Sequence, residues 1–163
     1  MINLVRIDDR LLHGEVSFAW IEHLNLQRII IINDEASQDD FTRMILELSK
    51  PKDVQLIILQ LEHCEKELIK EYNRDGNCIV IVGNSFDAQI IVNIMKENNI
   101  HNTDINIGGL RNRPNSIQIT DGIYFSKEDI RIINDFLADG ECVYVLRLPK
   151  DKKIKITKQI TEQ

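Results

Sequence analysis

Arg28-Ile29-Ile30-Ile31-Ile32-Asn33 is the stretch of this chain that decides its fold. Four consecutive isoleucines predict a strand that is buried on both faces, because a strand with one face in water alternates apolar and polar residues. Similar apolar runs occur at Ile2–Ile7, Val54–Leu59 and Cys78–Val82, and longer segments of helical period separate them. This alternation favours a three-layer α/β fold, in which helices cover both faces of a mostly parallel sheet.

The pattern of apolar residues predicts further helices and strands. Ser85 and Ser126 precede two helical segments and are the predicted N-caps, because a hydroxyl oxygen can accept a bond from an amide of the first turn. The predicted helices are Glu15–Leu24, Asp39–Leu48, Glu62–Tyr72, Phe86–Glu97 and Lys127–Ala138, and the further strands are Ile105–Ile107, one or two within Ile117–Phe125, and Glu141–Leu146. With 163 residues and no linker-like segment, the chain is predicted to form a single domain over residues 1–163.

Polar or glycine-containing loops follow several of the predicted strands. In sheets of parallel strands, ligands bind at the carboxyl ends of the strands, in the loops that precede the helices. The loops predicted at this edge are Asp8–Gly14, Asn33–Ser37, Gly83–Ser85 and Gly108–Asn115. The functional site is therefore expected among them.

Composition and charge argue against several classes of function. A net charge of −6 disfavours nucleic-acid binding, and the chain has neither of the glycine-rich fingerprints of nucleotide-binding loops. No two of the four histidines have metal-ligand spacing, and the three cysteines contain no Cys-x-x-Cys pair. We therefore predict no metal and no cofactor.

The sequence also bears on location. No apolar run approaches the ~20 residues of a membrane-spanning helix, and the first residues enter a strand pattern without a signal peptide. These features predict a cytoplasmic protein with no direct membrane insertion. From Arg147 onward, six basic residues stand against two acidic ones, which indicates either a solvated end or contact with an anionic surface or an acidic partner.

The stretch from Arg6 to Val16, RIDDRLLHGEV, has the features of a phosphoryl-accepting site. His13 lies between the first strand and the first helix, where helix amides and the helix dipole favour a bound phosphate. Arg6 and Arg10 supply fixed positive charge for an anion beside the imidazole. Asp9, or alternatively Asp8, can accept a bond from one ring nitrogen, which fixes the tautomer and leaves the other nitrogen free as nucleophile.

Three glycines complete the candidate site. Gly14 removes a side chain that would crowd the imidazole. Gly108 and Gly109, after the strand Ile105–Ile107, predict a turn that lets the backbone approach a ligand or another loop. A histidine next to a glycine is a weak motif by itself, so a half-buried loop histidine among surface ion pairs remains the alternative on residue types alone.

Together these motifs resemble a known family. The stretch Arg6–Val16 followed by Trp20 is similar to the opening of the EIIB subunit of the mannose/fructose/sorbose family of the bacterial sugar phosphotransferase system. The resemblance continues through Ile32–Glu35, Ile105–Gly109 and Tyr124–Asp129, and so covers nearly the whole chain. It implies a sheet of about seven mostly parallel strands, with the histidine on an exposed first loop.

The resemblance also implies an activity and partners. An EIIB subunit accepts a phosphoryl group from the phosphohistidine of EIIA and passes it to a sugar that the membrane subunits EIIC and EIID translocate. His13 matches the phosphorylated histidine, and Arg10 matches the arginine associated with transfer. Other EIIB families use a phosphocysteine, but no cysteine here follows the first strand. The subunit would then be cytoplasmic and peripherally associated with a permease.

Glu15 departs from the family pattern, which usually has glutamine at this position. A carboxylate two residues from a phosphohistidine repels the phosphate unless it points away. It therefore keeps open a second interpretation, a non-catalytic regulatory or binding module on the same scaffold. A third, a flavodoxin-like or nucleotide-binding enzyme, is disfavoured by the missing glycine motifs. The sequence is compatible with a homodimer, since symmetric dimers are common, but no pattern identifies an interface.

Overall fold

The fold is taken from a computed structural model that describes residues 1–101 and 103–161. Strands and helices alternate through most of the chain. The strands are β1 (Ile2–Asp8), β2 (Leu26–Ile32), β3 (Gln55–Leu59), β4 (Asn77–Val82), β5 (Asp104–Gly109), β6 (Ile117–Thr120), β7 (Ile123–Phe125), β8 (Val143–Val145) and β9 (Ile154–Ile156). The helices are α1 (Gly14–Leu24), α2 (Asp34–Gln38), α3 (Asp40–Leu48), α4 (Cys64–Tyr72), α5 (Ser85–Glu97) and α6 (Lys127–Ala138), and a 3-10 turn at Leu61–His63 precedes α4.

Seven of the strands form one sheet in the order β3-β2-β4-β1-β5-β8-β9. Every neighbouring pair is parallel except β8 and β9, which are antiparallel. Strands β6 and β7 form a separate antiparallel hairpin. The predicted mostly parallel sheet of about seven strands is confirmed.

Helices cover both faces of this sheet, as the sequence predicts. Ile30 and Ile32 of β2 pack in one core cluster with residues of α4, α5 and α6. Ile29 and Ile31 pack in a second cluster with residues of α1, α2 and α3. All four isoleucines are fully buried, so the run of apolar residues reflects a strand between two layers of helices.

The structure adds elements that the sequence interpretation did not include. Most of the predicted loop Asn33–Ser37 is the short helix α2, and the Asn33 side chain caps it by accepting from the Ala36 amide. The final strand of the prediction, Glu141–Leu146, is shorter as β8, and β9 follows it. Gly108 and Gly109 lie inside β5, so the prediction of a turn there is wrong.

The predicted N-cap of α5 is also wrong. Asn84, not Ser85, caps this helix, because its side-chain oxygen accepts from the Asp87 amide at 2.8 Å. Ser85 is buried and donates its hydroxyl to Asp129 Oδ1 at 2.6 Å, which joins α5 to α6. The prediction for α6 is confirmed, with Ser126 and Asp129 forming a capping box.

We expect Asn84→Ala to lower the free energy of unfolding by about 1 kcal/mol, because it removes the side-chain cap of α5. Urea unfolding followed by circular dichroism measures this change. Asn84→Ser is the matched control, since serine also caps helices, and it should stay close to wild type. Equal stabilities for the alanine and serine variants would contradict the assignment.

Candidate active site

The site loop begins where β1 ends, at the carboxyl edge of the sheet. The Leu11 amide donates to the Asp8 carbonyl at 2.9 Å and the Asp9 amide donates to the Gly109 carbonyl at 3.0 Å, so the loop turns back at once. Leu11 takes a left-handed conformation with φ 56°. The chain then extends at His13, the N-cap residue of α1, and the helix starts at Gly14.

Within the residues that the structure describes, the His13 ring makes one side-chain hydrogen bond. Its Nε2 atom lies 3.2 Å from Asp8 Oδ2, and its side chain is 22% exposed. Among the described residues, its Nδ1 atom has no hydrogen-bond partner. A neutral imidazole whose Nε2–H donates to this carboxylate therefore keeps the lone pair on Nδ1 for reaction.

Asp8 is fully buried and remains ionised through its neighbours. Oδ2 accepts from Arg6 at 2.9 Å, and Oδ1 accepts from the Arg10 amide at 3.1 Å. Burial acts to raise the pKa of Asp8, but the bond to His13 and the charge of Arg6 outweigh it, and the pKa lies below its ordinary value. Asp8 is therefore a fixed negative charge beneath the imidazole.

Arg6 is buried below this carboxylate, with 2% of its side chain exposed. Its Nη1 donates to Asn106 Oδ1 at 2.5 Å and to the Leu146 carbonyl at 3.2 Å, and its Nη2 also donates to the Arg147 carbonyl at 3.2 Å. The guanidinium lies 5.2 Å from the ring centre of Trp20. Burial lowers the pKa of Arg6 from its ordinary value, while the charge of Asp8 opposes that shift.

The two glycines of β5 make room for this ion pair. A Cβ on Gly108 would lie 2.0 Å from Arg6 Cζ, and a Cβ on Gly109 would lie 2.7 Å from Asp8 Oδ1. Real Cβ atoms do not approach other heavy atoms so closely, so neither position accepts a larger residue without displacing the pair. The Gly108-Gly109 sequence therefore leaves the space that the buried Arg6 and Asp8 occupy.

Two assignments made from the sequence are corrected by this geometry. Asp9 does not contact the imidazole, because its carboxylate accepts from the amide and the Nε of Arg111, both at 2.8 Å. Asp8 makes the contact instead. Arg6 is not available to a phosphate, because its donors are directed to Asp8, Asn106 and two backbone carbonyls inside the protein.

Arg10 differs from Arg6 in being exposed. Among the described residues, its guanidinium has no ion pair or hydrogen bond. It lines a shallow depression of about 340 Å³ together with Arg111 and Arg147. Glu15 is exposed in the first turn of α1, also without an ion pair among the described residues. The free cation nearest in sequence to His13 is therefore Arg10.

Sequence reasoning missed several residues that build this site. Asn106 could have been noticed, because it is a polar residue within the apolar run Ile105–Ile107. The structure shows that it is fully buried. Trp20 anchors the other side by donating from Nε1 to the Arg147 carbonyl at 2.9 Å. The sequence could not show that the Leu146 and Arg147 carbonyls accept from Arg6, because every residue has a carbonyl.

The described residues contain neither a candidate metal site nor a candidate membrane-spanning helix. In residues 1–101 and 103–161, no group of three or more His, Cys, Asp or Glu side chains is placed to hold a metal ion. Over the same residues, no helix has the length and apolar character needed to cross a bilayer.

Comparison with known proteins decides the family. The family model described as "PTS system sorbose subfamily IIB component" matches residues 2–163. The chain belongs to this family. The family resemblance of the opening motif is thereby confirmed.

Individual members of the IIB family are similar over the whole chain. The sorbose-specific EIIB component of Klebsiella pneumoniae is 29% identical over 161 residues, which is 99% of this chain and 96% of that relative. The crystal structure of the IIBSor domain of the sorbose permease from the same organism superposes with a TM-score of 0.80 at 27% identity, covering 96% of this chain and 94% of that one.

A longer relative is also similar. The mannose-specific EIIAB component of Escherichia coli K12 is 26% identical over 166 residues, and the match covers 99% of this chain and 49% of that protein. This IIB-family chain therefore spans about half of the EIIAB protein.

We expect Gly108→Ala to lower the free energy of unfolding by about 1–3 kcal/mol, because the new methyl group must displace the buried Arg6 guanidinium. Gly83→Ala is the matched control. Its Cβ would meet only ordinary contacts, at 3.5 Å from Asn33 and 3.7 Å from Leu11. Chemical unfolding of both variants measures the difference, and equal stability would contradict the packing of Arg6 on β5.

Proposed function

We propose that this chain is the phosphoryl carrier of a sugar phosphotransferase system. It accepts a phosphoryl group from an EIIA phosphohistidine on Nδ1 of His13 and passes it to a sugar during uptake through EIIC and EIID membrane subunits. The main support for this proposal is the pair of contacts that links Arg6 to Asp8 and Asp8 to Nε2 of His13. It leaves one ring nitrogen free at an accessible loop.

The first transfer follows from this arrangement. The Nδ1 lone pair of neutral His13 attacks phosphorus in line, a new N–P bond forms, and the N–P bond to the donor imidazole breaks and returns its electron pair to that ring. His13 then carries positive charge on its ring, shared through the Nε2–H with Asp8. Because Asp8 is already ionised and fixed by Arg6, it stabilises this charge without rearranging.

In the second transfer, His13 gives up the phosphoryl group. A sugar hydroxyl attacks phosphorus, the N–P bond of His13 breaks, and the ring regains its neutral form with the proton kept at Nε2. The hydroxyl proton leaves to solvent or to a base of the receiving subunit. The protein has little covalent work to do, since phosphoryl transfer depends mainly on position and charge neutralisation.

Arg10 and the start of α1 are the groups suited to hold the transferring phosphate. Arg10 is exposed, free of ion pairs among the described residues and three positions before His13, and its planar guanidinium can donate two parallel bonds to a phosphate. No side chain in the described part of the protein caps α1, so its first amides are available to an anion, assisted by the helix dipole.

Two of the three cysteines, Cys64 and Cys78, are poorly suited to carry a phosphoryl group. Burial raises the pKa of Cys64 to about 11 and the pKa of Cys78 to about 12. Both thiols therefore stay protonated near neutral pH, and a thiol reacts as a nucleophile only as its thiolate.

The partners follow from the family. The name of the Escherichia coli relative joins EIIA and EIIB in one protein, which supports EIIA as the donor here. The name of the Klebsiella pneumoniae structure places its IIB domain in a sorbose permease, which supports a place at the cytoplasmic side of a membrane permease. Both partners must reach His13, which fits its position on an open loop.

Glu15 supports one alternative, a regulatory module that binds the same partners without accepting phosphate. Its carboxylate adds negative charge in the first turn of α1, two residues from His13. It opposes a phosphate in that turn, whereas Arg10 and the helix dipole favour one.

We expect His13→Ala to remain folded and to accept no phosphate, because Asp8 keeps its bonds to Arg6 and to the Arg10 amide. Intact mass at mildly alkaline pH, after incubation with phosphoenolpyruvate and the upstream proteins, measures acceptance. His63→Ala, at a histidine that is 66% exposed beside α4, is the control and should gain one phosphate like wild type. Phosphorylation of the His13→Ala protein, or none of wild type with active upstream proteins, would contradict the proposal.

We expect Arg10→Lys to slow transfer from His13 to the sugar by about 10-fold to 100-fold, the equivalent of one charge-assisted hydrogen bond of about 1.5–3 kcal/mol. Lysine keeps the charge but loses the planar pair of donors. Single-turnover transfer from the phosphorylated protein to sugar through the permease measures the rate. Arg131→Lys on α6, where the arginine is 56% exposed, is the control, and equal rates for both variants would remove Arg10 from the mechanism.

A further inference from the structure

Arg111 forms an ion pair with Asp9 in the loop that carries the phosphoryl site. The Arg111 backbone amide and its Nε atom both donate to Asp9 Oδ2 at 2.8 Å, and its Nη2 atom donates to the Asp9 carbonyl at 3.4 Å. The side chain of Arg111 is 68% exposed, whereas that of Asp9 is 17% exposed. The hydrogen bond and the charge of Asp9 raise the pKa of Arg111 from its ordinary value, as expected when each charge stabilises the other.

Backbone contacts fix the position of both partners. The Asp9 amide donates to the Gly109 carbonyl at 3.0 Å. The residue before Arg111, Leu110, accepts on its carbonyl from the Tyr124 amide at 2.8 Å, so the β6–β7 hairpin supports this segment. The ion pair therefore joins two segments that the backbone already holds side by side, although they are 102 residues apart in the chain.

Arg10 lines the same depression as this ion pair. The volume of the depression is about 340 Å³, and its charged lining residues are Arg10, Arg111, Arg147 and Asp9. Asp9 is therefore the one negative charge among these four. Arg111 is paired with it, whereas the Arg10 guanidinium has no ion pair or hydrogen bond among the described residues.

The depression adjoins the residue that holds the imidazole of His13. Asp8 contacts Nε2 of His13, and its carboxylate packs against Gly109, which lines the depression. The Arg10 amide also donates to Asp8 Oδ1 at 3.1 Å. Charges in the depression therefore act on a phosphate that Arg10 holds beside His13, since charge interactions extend over about 8 Å in physiological salt.

A carboxylate without a counter-charge at position 9 would interfere with that phosphate. Carboxylates and phosphates bind a guanidinium in the same planar geometry, with two parallel hydrogen bonds. Asp9 is the neighbour of Arg10 in the chain, so a free Asp9 carboxylate would compete for the Arg10 guanidinium. It would also repel the negative charge of the phosphate. In the structure, Arg111 supplies the counter-charge that prevents both effects.

We propose that Arg111 is a positioning residue of phosphoryl transfer, which holds the Asp9 carboxylate and thereby keeps the Arg10 guanidinium free for phosphate. This inference rests on the function proposed above for His13 and Arg10. Arg111 acts through Asp9 and needs no contact with the phosphate itself.

A pair that only held the loop in place would behave differently on substitution. Loss of Asp9 and loss of Arg111 would then be equally harmful, because either change breaks the same contacts. If Arg111 acts by holding a competing carboxylate, its loss is harmful only while that carboxylate is present. A double-variant cycle on the two residues distinguishes these cases.

Binding of inorganic phosphate to the unphosphorylated protein tests the proposal without partner proteins. Spectra of arginine Nε–H groups at mildly acidic pH report the state of Arg10, whose signal is assigned from the Arg10→Lys variant. We expect Arg111→Gln to shift the Arg10 signal before phosphate is added, because Asp9 then engages Arg10. We also expect phosphate affinity to fall by about 5-fold, the upper range for an exposed charge pair.

Asp9→Asn in the Arg111→Gln background should reverse both effects. Glutamine at position 111 keeps the backbone amide that bonds Asp9, and asparagine at position 9 keeps a side-chain oxygen to accept that bond, so the loop contact survives in each variant. The double variant should therefore show the wild-type Arg10 signal and wild-type phosphate affinity. Asp9→Asn alone should bind phosphate at least as tightly as wild type.

Single-turnover transfer from the phosphorylated protein to sugar through the permease measures the effect on the reaction. We expect Arg111→Gln to slow this transfer by about 5-fold, and the double variant to return close to the wild-type rate. Arg131→Gln is the matched control and should behave as wild type, because it breaks an exposed ion pair with Asp135 within α6. Circular dichroism shows whether each variant is folded.

Two results would overturn the proposal. Equal impairment of Arg111→Gln and of the double variant would mean that Arg111 holds the loop or binds phosphate itself. Wild-type phosphate binding and transfer in Arg111→Gln would mean that Asp9 does not compete for Arg10. Failure of the proposed function looks different, because wild type would then accept no phosphate on His13 while the titration with inorganic phosphate still shows whether Arg111 keeps Arg10 free.

Discussion

The buried ion pair between Arg6 and Asp8 is the interaction on which the site depends. Taking two charges out of water is costly, and the loss is offset only when every donor and acceptor finds a partner. The two Nη atoms of Arg6 together donate four such bonds, to Asn106, to two backbone carbonyls and to Asp8. Removing either charge would leave the other buried without a partner, which is more damaging than exchanging the pair for apolar residues.

Several separate features of the sequence serve this one pair. Gly108 and Gly109 leave the space that the guanidinium and the carboxylate fill. Trp20 covers Arg6 from α1 and bonds the same Arg147 carbonyl that Arg6 bonds. The result links β1, β5, α1 and the end of β8 beneath a single histidine. A carrier that must meet two partners benefits from such a base, since its reactive ring can stay on an open loop and still keep one orientation.

Much of the fold could be predicted because its signals are local. The isoleucine run of β2 and the Ser126 cap of α6 depend on residues close in sequence, and both predictions are confirmed. Helix α2 was missed because a single turn hardly differs from a loop in its pattern. Strand β9 was missed because three residues around Lys155 carry little apolar signal.

The site was predicted in its location but not in its contacts. Asp8 and Asp9 are the same residue type, so composition does not show which of them contacts the imidazole. The alternating direction of side chains along β1 decides it. Asp8 lies two residues after Arg6 and so shares its face of the strand, whereas Asp9 follows the turn and meets Arg111, about a hundred residues further along the chain. Arg6 was predicted to bind phosphate because its burial could not be recognised from the residues around it. That burial depends on Asn106, Gly108 and the end of β8, none of which is near Arg6 in sequence.

In the proposed mechanism, Asp8 holds Nε2 of His13 and leaves Nδ1 to react. Long-range ¹H–¹⁵N correlation spectra of the ¹⁵N-labelled protein, recorded before and after phosphorylation, distinguish the two ring nitrogens directly. We expect a proton on Nε2 in the resting protein and phosphorus on Nδ1 in the phosphorylated one. Phosphorus on Nε2 would contradict it, because that nitrogen would then have to leave Asp8 in every cycle of transfer.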